Sequence, residues 1–263
     1  MEAILSKTRI LQCKYNSTER LSFLDSLRGF AVLNMIIYHA LWDIENIFHL
    51  HLSLFSEKTL YIYQQSICWT FILLSGFCSF LSRNHLKRGL IVSICGIIVS
   101  LVTFLFTPDS RILFGVLTFL GIAMLVVIPL ESELKKVHPV IGTVVCFLLF
   151  LFTRNIPRGN LGFERIELIK LPDMLYQGYI ANLLGFKSNN FYSADYFPIF
   201  PWIFLFFTGY FLCCLYHDKL KKMRFMKYRA VPFNFIGRHS LFFYMIHQPV
   251  IYAILYILFD YCK

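Results

Sequence analysis

The sequence predicts an all-α integral membrane protein, a polytopic bundle of about seven transmembrane helices. Three observations carry that reading. Of 263 residues, 57% are hydrophobic and only 15% are charged, against about 25% charged in a soluble globular domain. Mean hydropathy is +0.62. The apolar residues fall in discrete runs that approach the ~20 residues needed to cross a bilayer. So much apolar surface, with 29 Phe and 15 Tyr, does not fit inside one soluble domain of this size. A soluble enzyme, a disulfide-rich secreted domain, a disordered tail and a nucleic-acid module are thereby excluded.

The seven runs are Ser22 to Asp43, Gln64 to Leu81, Leu90 to Phe106, Ile112 to Leu130, Val140 to Thr153, Ile199 to Tyr216 and Ser240 to Phe259. All are expected to be helices, because an open strand cannot satisfy its backbone in lipid. The fifth is short, so its ends are expected to extend. Residues 22–259 read as one transmembrane domain, between an N-terminal segment 1–21 and a tail 260–263. Ser75, Gly76 and Ser79 in the second run, and Gly115 and Gly121 in the fourth, read as helix-packing positions. The long segment from Arg154 to Pro198 is the one extended loop. Its semi-apolar stretch from Met174 to Phe186 predicts a short interfacial or re-entrant helix. Its aromatic end, Tyr192 to Trp202, reads as an interfacial belt, with Pro198 and Pro201 suited to a first helical turn.

Lys and Arg positions orient the bundle, since cytoplasmic loops are enriched in them. With the N-terminus inside, sixteen fall in cytoplasmic segments, including the basic run Lys219 to Arg229. Eight fall outside, five of them in the one long loop. The expected topology is N-terminus in, C-terminus out, and the net charge of +10 reflects that bias. The eight cysteines lie mostly in apolar runs, and none has CxxC spacing. They read as small buried hydrophobes, with neither a disulfide framework nor a metal site. No cleavable signal is expected.

The first run, LDSLRGFAVLNMIIYHALWD, holds Asp25, Arg28, Asn34, His39 and Asp43. Ionisable residues in a span are costly and by default functional. Arg28 and His39 are eleven apart, so they share a helical face about 16 Å apart along the axis. Asp25 can pair with Arg28. Asp43, one turn beyond His39, can accept a hydrogen bond from its ring and fix its tautomer. The alternative is that Arg28 snorkels to headgroups and His39 bonds a neighbouring helix. In the last run, GRHSLFFYMIHQP, Ser240, Tyr244 and His247 form one polar face with Gln248 beside it. Pro249 removes a backbone donor and leaves the Met245 carbonyl unpaired. That face either turns toward the first helix or is a packing histidine with a kink proline.

These segments, together with WTFILLSGFCSFLSR, FGVLTFLGIAML and DYFPIFPW in the same order, resemble a known family. They are similar to small bacterial members of the heparan-alpha-glucosaminide N-acetyltransferase catalytic-domain family, within the wider transmembrane acyltransferases. The resemblance runs from about Leu21 to Phe259. The Arg28–His39 spacing is also similar to the pair in membrane O-acyltransferases of bacterial surface sugars. The resemblance implies that acetyl-CoA is presented from the cytoplasm and that an acyl group passes to an extracytoplasmic sugar-like or amine acceptor. It implies His39 as catalytic base or transient acyl carrier, supported by Asp43. Arg28 would hold CoA phosphates, joined by Arg238, His239 and Ser240. Acyl transfer also needs a donor for the developing oxyanion, a role open to Tyr244 or His247. Asp195 and Trp202, at the outer mouth, are the expected acceptor contacts; Asp195 reads alternatively as an N-terminal cap for the sixth helix. The larger lysosomal enzyme of the family implies a different histidine, in the loop where this chain has His49 and His51. Nothing in the residues points to heparan itself.

Two other readings of the same residues stay open. One is a membrane carrier for a small anionic solute, although the repeated halves of carriers are not visible. The other is a catalytically inactive scaffold. A multi-pass protein of a bacterial plasma membrane, in contact with lipid and able to form a homodimer, is expected in each case.

Overall fold

The computed structural model describes residues 21–49, 56–82, 84–220, 223, 226 and 228–261. Its order is α1 (Ser22–Asn46), α2 (Glu57–Phe80), α3 (His85–Phe106), α4 (Val116–Leu134), α5 (Pro139–Thr153), β1 (Asn160–Phe163), β2 (Ile166–Lys170), α6 (Tyr179–Leu184), α7 (Ile199–Leu220), α8 (Val231–Arg238) and α9 (Ser240–Tyr256). Each of the seven predicted runs coincides with a long helix. Five of these are long and apolar enough to cross a membrane: α3, α4, α5 continued to Arg158, α7, and α9 continued to Phe259. Helices α1 and α2 are as long but more polar. The first carries Asp25, Arg28, Asn34, His39 and Asp43, and the second opens with Glu57 and Lys58 and then holds Gln64 and Gln65.

Helix α7 is the hub of the bundle, packed between α2 and α5. Leu205 and Phe206 of α7, Ile72 of α2, Phe119 and Val127 of α4 and Phe150 of α5 form its fully buried core. Glycine makes the α2–α7 approach possible. A Cβ on Gly76 would stand 1.8 Å from the Phe206 carbonyl oxygen, and one on Gly209 would stand 2.1 Å from that of Leu73. Gly121 similarly admits Ser93 of α3 against α4. On its other side α3 is open: Ile94, Ile97, Leu101 and Leu105 are all exposed. An apolar face of this length on a span has lipid as its natural neighbour.

Helix α1 packs chiefly on α8, with further contacts to α9 and α2. The crossing is again between glycines. A Cβ on Gly29 would lie 1.8 Å from the Phe233 carbonyl oxygen, and one on Gly237 would lie 1.7 Å from that of Asp25. Buried Asn234 of α8 adds a bond from Nδ2 to the Ser22 carbonyl, 3.0 Å. Helix α8 is an element the sequence reading did not separate from the last span. It ends at His239, whose non-helical backbone turns the chain into α9.

The loop between α5 and α7 departs most from expectation. It opens with an antiparallel hairpin, β1 paired to β2, in register Asn160 with Lys170 and Phe163 with Ile166. In the stretch from Met174 to Phe186, where a short interfacial or re-entrant helix is expected, a turn at Asp173–Tyr176 is followed by the short helix α6. The hairpin lacks the Asn-Gly or Asp-Gly signal of tight turns. Buried Asn155 holds it instead, donating from Nδ2 to the carbonyls of Glu164 and Ile166, both at 3.1 Å. A bond from outside the hairpin leaves no mark in the hairpin's own sequence.

The glycine crossing sets a testable cost. Gly29→Ala and Gly237→Ala each push a Cβ into backbone, which cannot yield without parting α1 from α8. Overpacking of this kind costs about 1–3 kcal/mol. Both variants should lower the melting temperature of detergent-purified protein. Gly89→Ala should lower it less, since its Cβ meets mainly the movable Leu125 side chain.

Candidate active site

Two polar centres lie along α1. At its first turns buried Asp25 sits between two guanidinium groups. Arg28 Nη1 is 3.6 Å from Oδ1, and Arg238 Nε is 3.8 Å from Oδ2. The close α1–α8 crossing brings the two arginines together. One carboxylate against two guanidinium groups leaves a positive surplus. Both arginines keep partial exposure, at 27% and 34% of the side chain. Each places one nitrogen against Asp25 and Arg28 also meets the Cys78 thiol, which together occupy only part of the guanidinium N–H groups. Helix α9 starts beside them, at Ser240, with no side-chain cap on its N-terminus. Uncapped N–H groups next to arginine suit a phosphate. His239 is exposed, with its ring 4.9 Å from Phe235. Arg28, Arg238, His239 and Ser240 therefore share one end of the bundle, and their donors fit a polyphosphate. Arg28 also faces the Cys78 thiol of α2.

The second centre lies three turns further along α1. The rings of His39 and His247 meet with centroids 4.9 Å apart. The polar face of α9 thus turns toward α1, the first of the two alternatives for that helix. His247 Nδ1 lies 2.6 Å from the Tyr244 carbonyl oxygen. A carbonyl only accepts, so Nδ1 carries the proton of this bond, and Nε2 of a neutral ring holds a free lone pair. A neutral His247 bonded in this way has no second N–H to offer an oxyanion. The Tyr244 ring is 5.3 Å from the His247 ring.

Asp43 is fully buried, but its partner is not the one expected. Gln248 Nε2 donates to both carboxylate oxygens, at 2.9 and 3.0 Å. Among the described residues no hydrogen bond joins Asp43 to His39. The helical spacing is right, yet the amide of α9 reaches the carboxylate first. His49 is exposed beyond the end of α1, with a left-handed backbone. No described contact ties it to the histidine pair, and His51 lies outside the described residues.

Asp195 and Trp202 line a pocket of about 180 Å3 together with Gln64, Gln65, Arg154 and Arg158. Asp195 Oδ2 accepts from the backbone N–H of Val116, 3.2 Å. It caps α4, therefore, and not the helix that follows it in sequence. Its other oxygen has no described partner. Burial pushes the Asp195 carboxyl up to about 6, against the pull of the Val116 N–H. The group retains some accessible surface because it stands in the pocket wall. It also lies close enough to Tyr38, Cys68 and Tyr244 to interact electrostatically with them. Tyr244 thus lies within electrostatic reach of the pocket carboxyl and against the His247 ring.

Trp202 is buried, 3% exposed, and so is no part of an interfacial belt. Its ring carries the Arg154 guanidinium at 4.5 Å. Arg154 also donates from Nη2 to Gln65 Oε1, 2.7 Å, and pairs with Glu164 Oε1 at 3.3 Å. Glu164 further receives the Tyr61 hydroxyl at 2.8 Å and pairs with Arg158 at 3.3 Å. Burial raises the Glu164 pKa, but the Tyr61 hydrogen bond and the two arginines outweigh it and hold the carboxyl below its ordinary value. The hairpin turn is thereby pinned over the pocket. Sequence reasoning missed Arg154, Gln64 and Gln65 as site residues. The available signal was polar residues at the very ends of apolar runs, which also describes ordinary membrane boundaries. No group of three or more His, Cys, Asp or Glu among the described residues could hold a metal ion.

Residues 20–249 match the family of the heparan-alpha-glucosaminide N-acetyltransferase catalytic region. No curated protein and no solved structure matches the chain. The matched span contains both arginines, both facing histidines, Asp43, Gln248 and the pocket. With the apolar helices it makes the chain a multi-pass membrane protein of acyltransferase type. The chain belongs to the heparan-alpha-glucosaminide N-acetyltransferase catalytic family.

Proposed function

We propose that this protein transfers the acetyl group of acetyl-CoA across the membrane to an extracytoplasmic hydroxyl or amine of a sugar-like acceptor. The observation that carries the reading is the meeting of His39 and His247 at 4.9 Å. They stand on the two helices whose other ends bear Arg28 and Ser240. A phosphate site and a pair of potential bases are then about 16 Å apart on one helix face, a gap for a long, flexible thioester arm. In this reading all seven long helices span the membrane, with the Arg28 end cytoplasmic and the Arg154–Pro198 loop outside, as the Lys and Arg bias favours.

Arg28 and Arg238 would hold the CoA phosphates. A histidine takes the proton from the acceptor as its nitrogen or oxygen bonds to the acetyl carbon. The carbon–sulfur bond then breaks, and the CoA thiolate picks up a proton. His39 is the base of first choice. His247, with its Nε2 lone pair free, is competent for the same role, and the Tyr244 hydroxyl is left as the oxyanion donor. Asp195, in the pocket wall, would orient the acceptor.

Four outcomes are expected. With the native cysteines replaced, a single cysteine at position 188 reacts with impermeant maleimide in intact cells and one at 222 does not; the reverse pattern inverts the topology. Arg28→Ala weakens acetyl-CoA binding about tenfold in calorimetry, as the loss of a charge-assisted hydrogen bond predicts, and Arg28→Lys restores it in part. His39→Ala abolishes transfer of labelled acetyl from acetyl-CoA to a cell-envelope extract, while acetyl-CoA binding persists. A carboxyl with a pKa of about 6 loses its charge as pH falls through that value. Acceptor KM should therefore rise below about pH 6, and Asp195→Asn should raise it above about pH 6 to the level the wild type reaches in acid, flattening that step.

A further inference from the structure

One side-chain tie between α1 and α9 has no part in the transfer chemistry described so far. Asp43 is fully buried, and no described salt bridge reaches it. Its charge faces the amide of Gln248, whose single nitrogen serves both carboxylate oxygens, at 2.9 and 3.0 Å. The cost of this arrangement is visible at the other end of the amide, where buried Gln248 Oε1 has no hydrogen-bond partner. The donor end is held by Asp43 even though the acceptor end goes unsatisfied. An amide whose orientation is fixed at such a cost acts as a rigid link.

The position of the link is what gives it a role. Asp43 stands one helical turn after His39, and Gln248 is the residue next to His247. Gln248 also precedes Pro249, which lacks an N–H and so weakens the backbone ladder of α9 just here. Apart from this tie the two histidine-bearing segments meet through apolar packing of Val32, Met35 and Ile36 with Phe243 and Tyr244 and through the ring contact itself, neither of which is as directional as a hydrogen bond. We infer that Gln248 is a positioning residue: with Asp43 it forms a strut between α1 and α9 that sets the His39 and His247 rings against each other. The strut replaces the within-helix support that Asp43 was expected to give His39. It rests on the proposed transfer chemistry only for its effect on rate, because the placement of the two rings can be read without turnover.

The test uses the full-length protein in nanodiscs with 15N-labelled histidine. His39→Gln and His247→Gln variants identify the two resonances. Gln248→Leu should shift both resonances and lower kcat for acetyl transfer at least tenfold, with the acetyl-CoA Kd changed less than twofold. Gln248→Glu should do the same, because two carboxylates then face each other. The double variant Asp43→Asn, Gln248→Glu keeps one amide facing one carboxylate at the same reach. It should return the resonances to the wild-type positions and kcat to within about threefold of wild type. Wild-type resonances and kcat in Gln248→Leu overturn the strut, and so does a double variant as impaired as Gln248→Glu. If Gln248→Leu does not fold, the Gln248→Glu single and the double variant decide. If the wild-type protein transfers no acetyl group, the transfer reading fails, and the resonances still decide the strut.

Discussion

The backbone contact of α1 with α8 governs the placement of both polar centres. Gly29 and Gly237 let the two helices touch at a distance no other residue pair would permit. That contact brings Arg238 to Asp25, opposite Arg28. It also fixes where the chain turns at His239 and begins α9. Once its start is fixed there, α9 runs along α1, and a residue seven positions into it, His247, comes opposite His39. Two residues without side chains thus decide which charged and aromatic side chains meet more than two turns away.

Burying so much charge in an apolar bundle is tolerable only because the carboxylates and the donating histidine nitrogen have been given partners. A buried charge without one is strongly disfavoured. Asp25 has two arginines and Asp43 has an amide, while His247 has a carbonyl. Asn34 on α1 receives the Tyr63 hydroxyl of α2, 2.8 Å. Tyr63 in turn packs with Tyr38, next to the histidine pair. The polar residues of α1, which make it the least membrane-like of the long helices, are therefore turned inward onto α2, α8 and α9. Their inward placement is compatible with a helix that spans despite its composition. Family membership weighs toward an enzyme and against a carrier for the same intramembrane charges.

The pocket at the other end follows a different logic. It is assembled from an α2 segment, the end of α5 and the approach to α7. A hairpin turn holds them together through Glu164, which ties Tyr61, Arg154 and Arg158. Its two arginines are thus already engaged by a carboxylate, one of them also by Gln65 and the Trp202 ring. Asp195 joins this pocket to α4 through Val116 and lies within electrostatic reach of Tyr244, beside the histidine centre.

The sequence by itself determined the helical class, since apolar runs of that length have few other ways to satisfy their backbones. The seven long helices all lie where the runs lie. The sequence also placed Arg28 and His39 on one face and marked His247 and Tyr244, because helical period converts spacing into direction. Period says nothing about a neighbour on another helix. It gave Asp43 to His39, one turn away, whereas Gln248, 205 positions on, is the actual partner. Its alternative reading of Asp195, as a cap for the helix that follows, pointed to the wrong helix: the N–H it accepts from is that of Val116, 79 positions earlier. The hairpin and the separate α8 were invisible for the same reason, each being held by bonds from Asn155 or by packing on α1 rather than by local pattern. What runs along one helix was legible in the chain. What crosses between helices was decided by packing, because a hydrogen bond is specific in space and indifferent to distance in sequence.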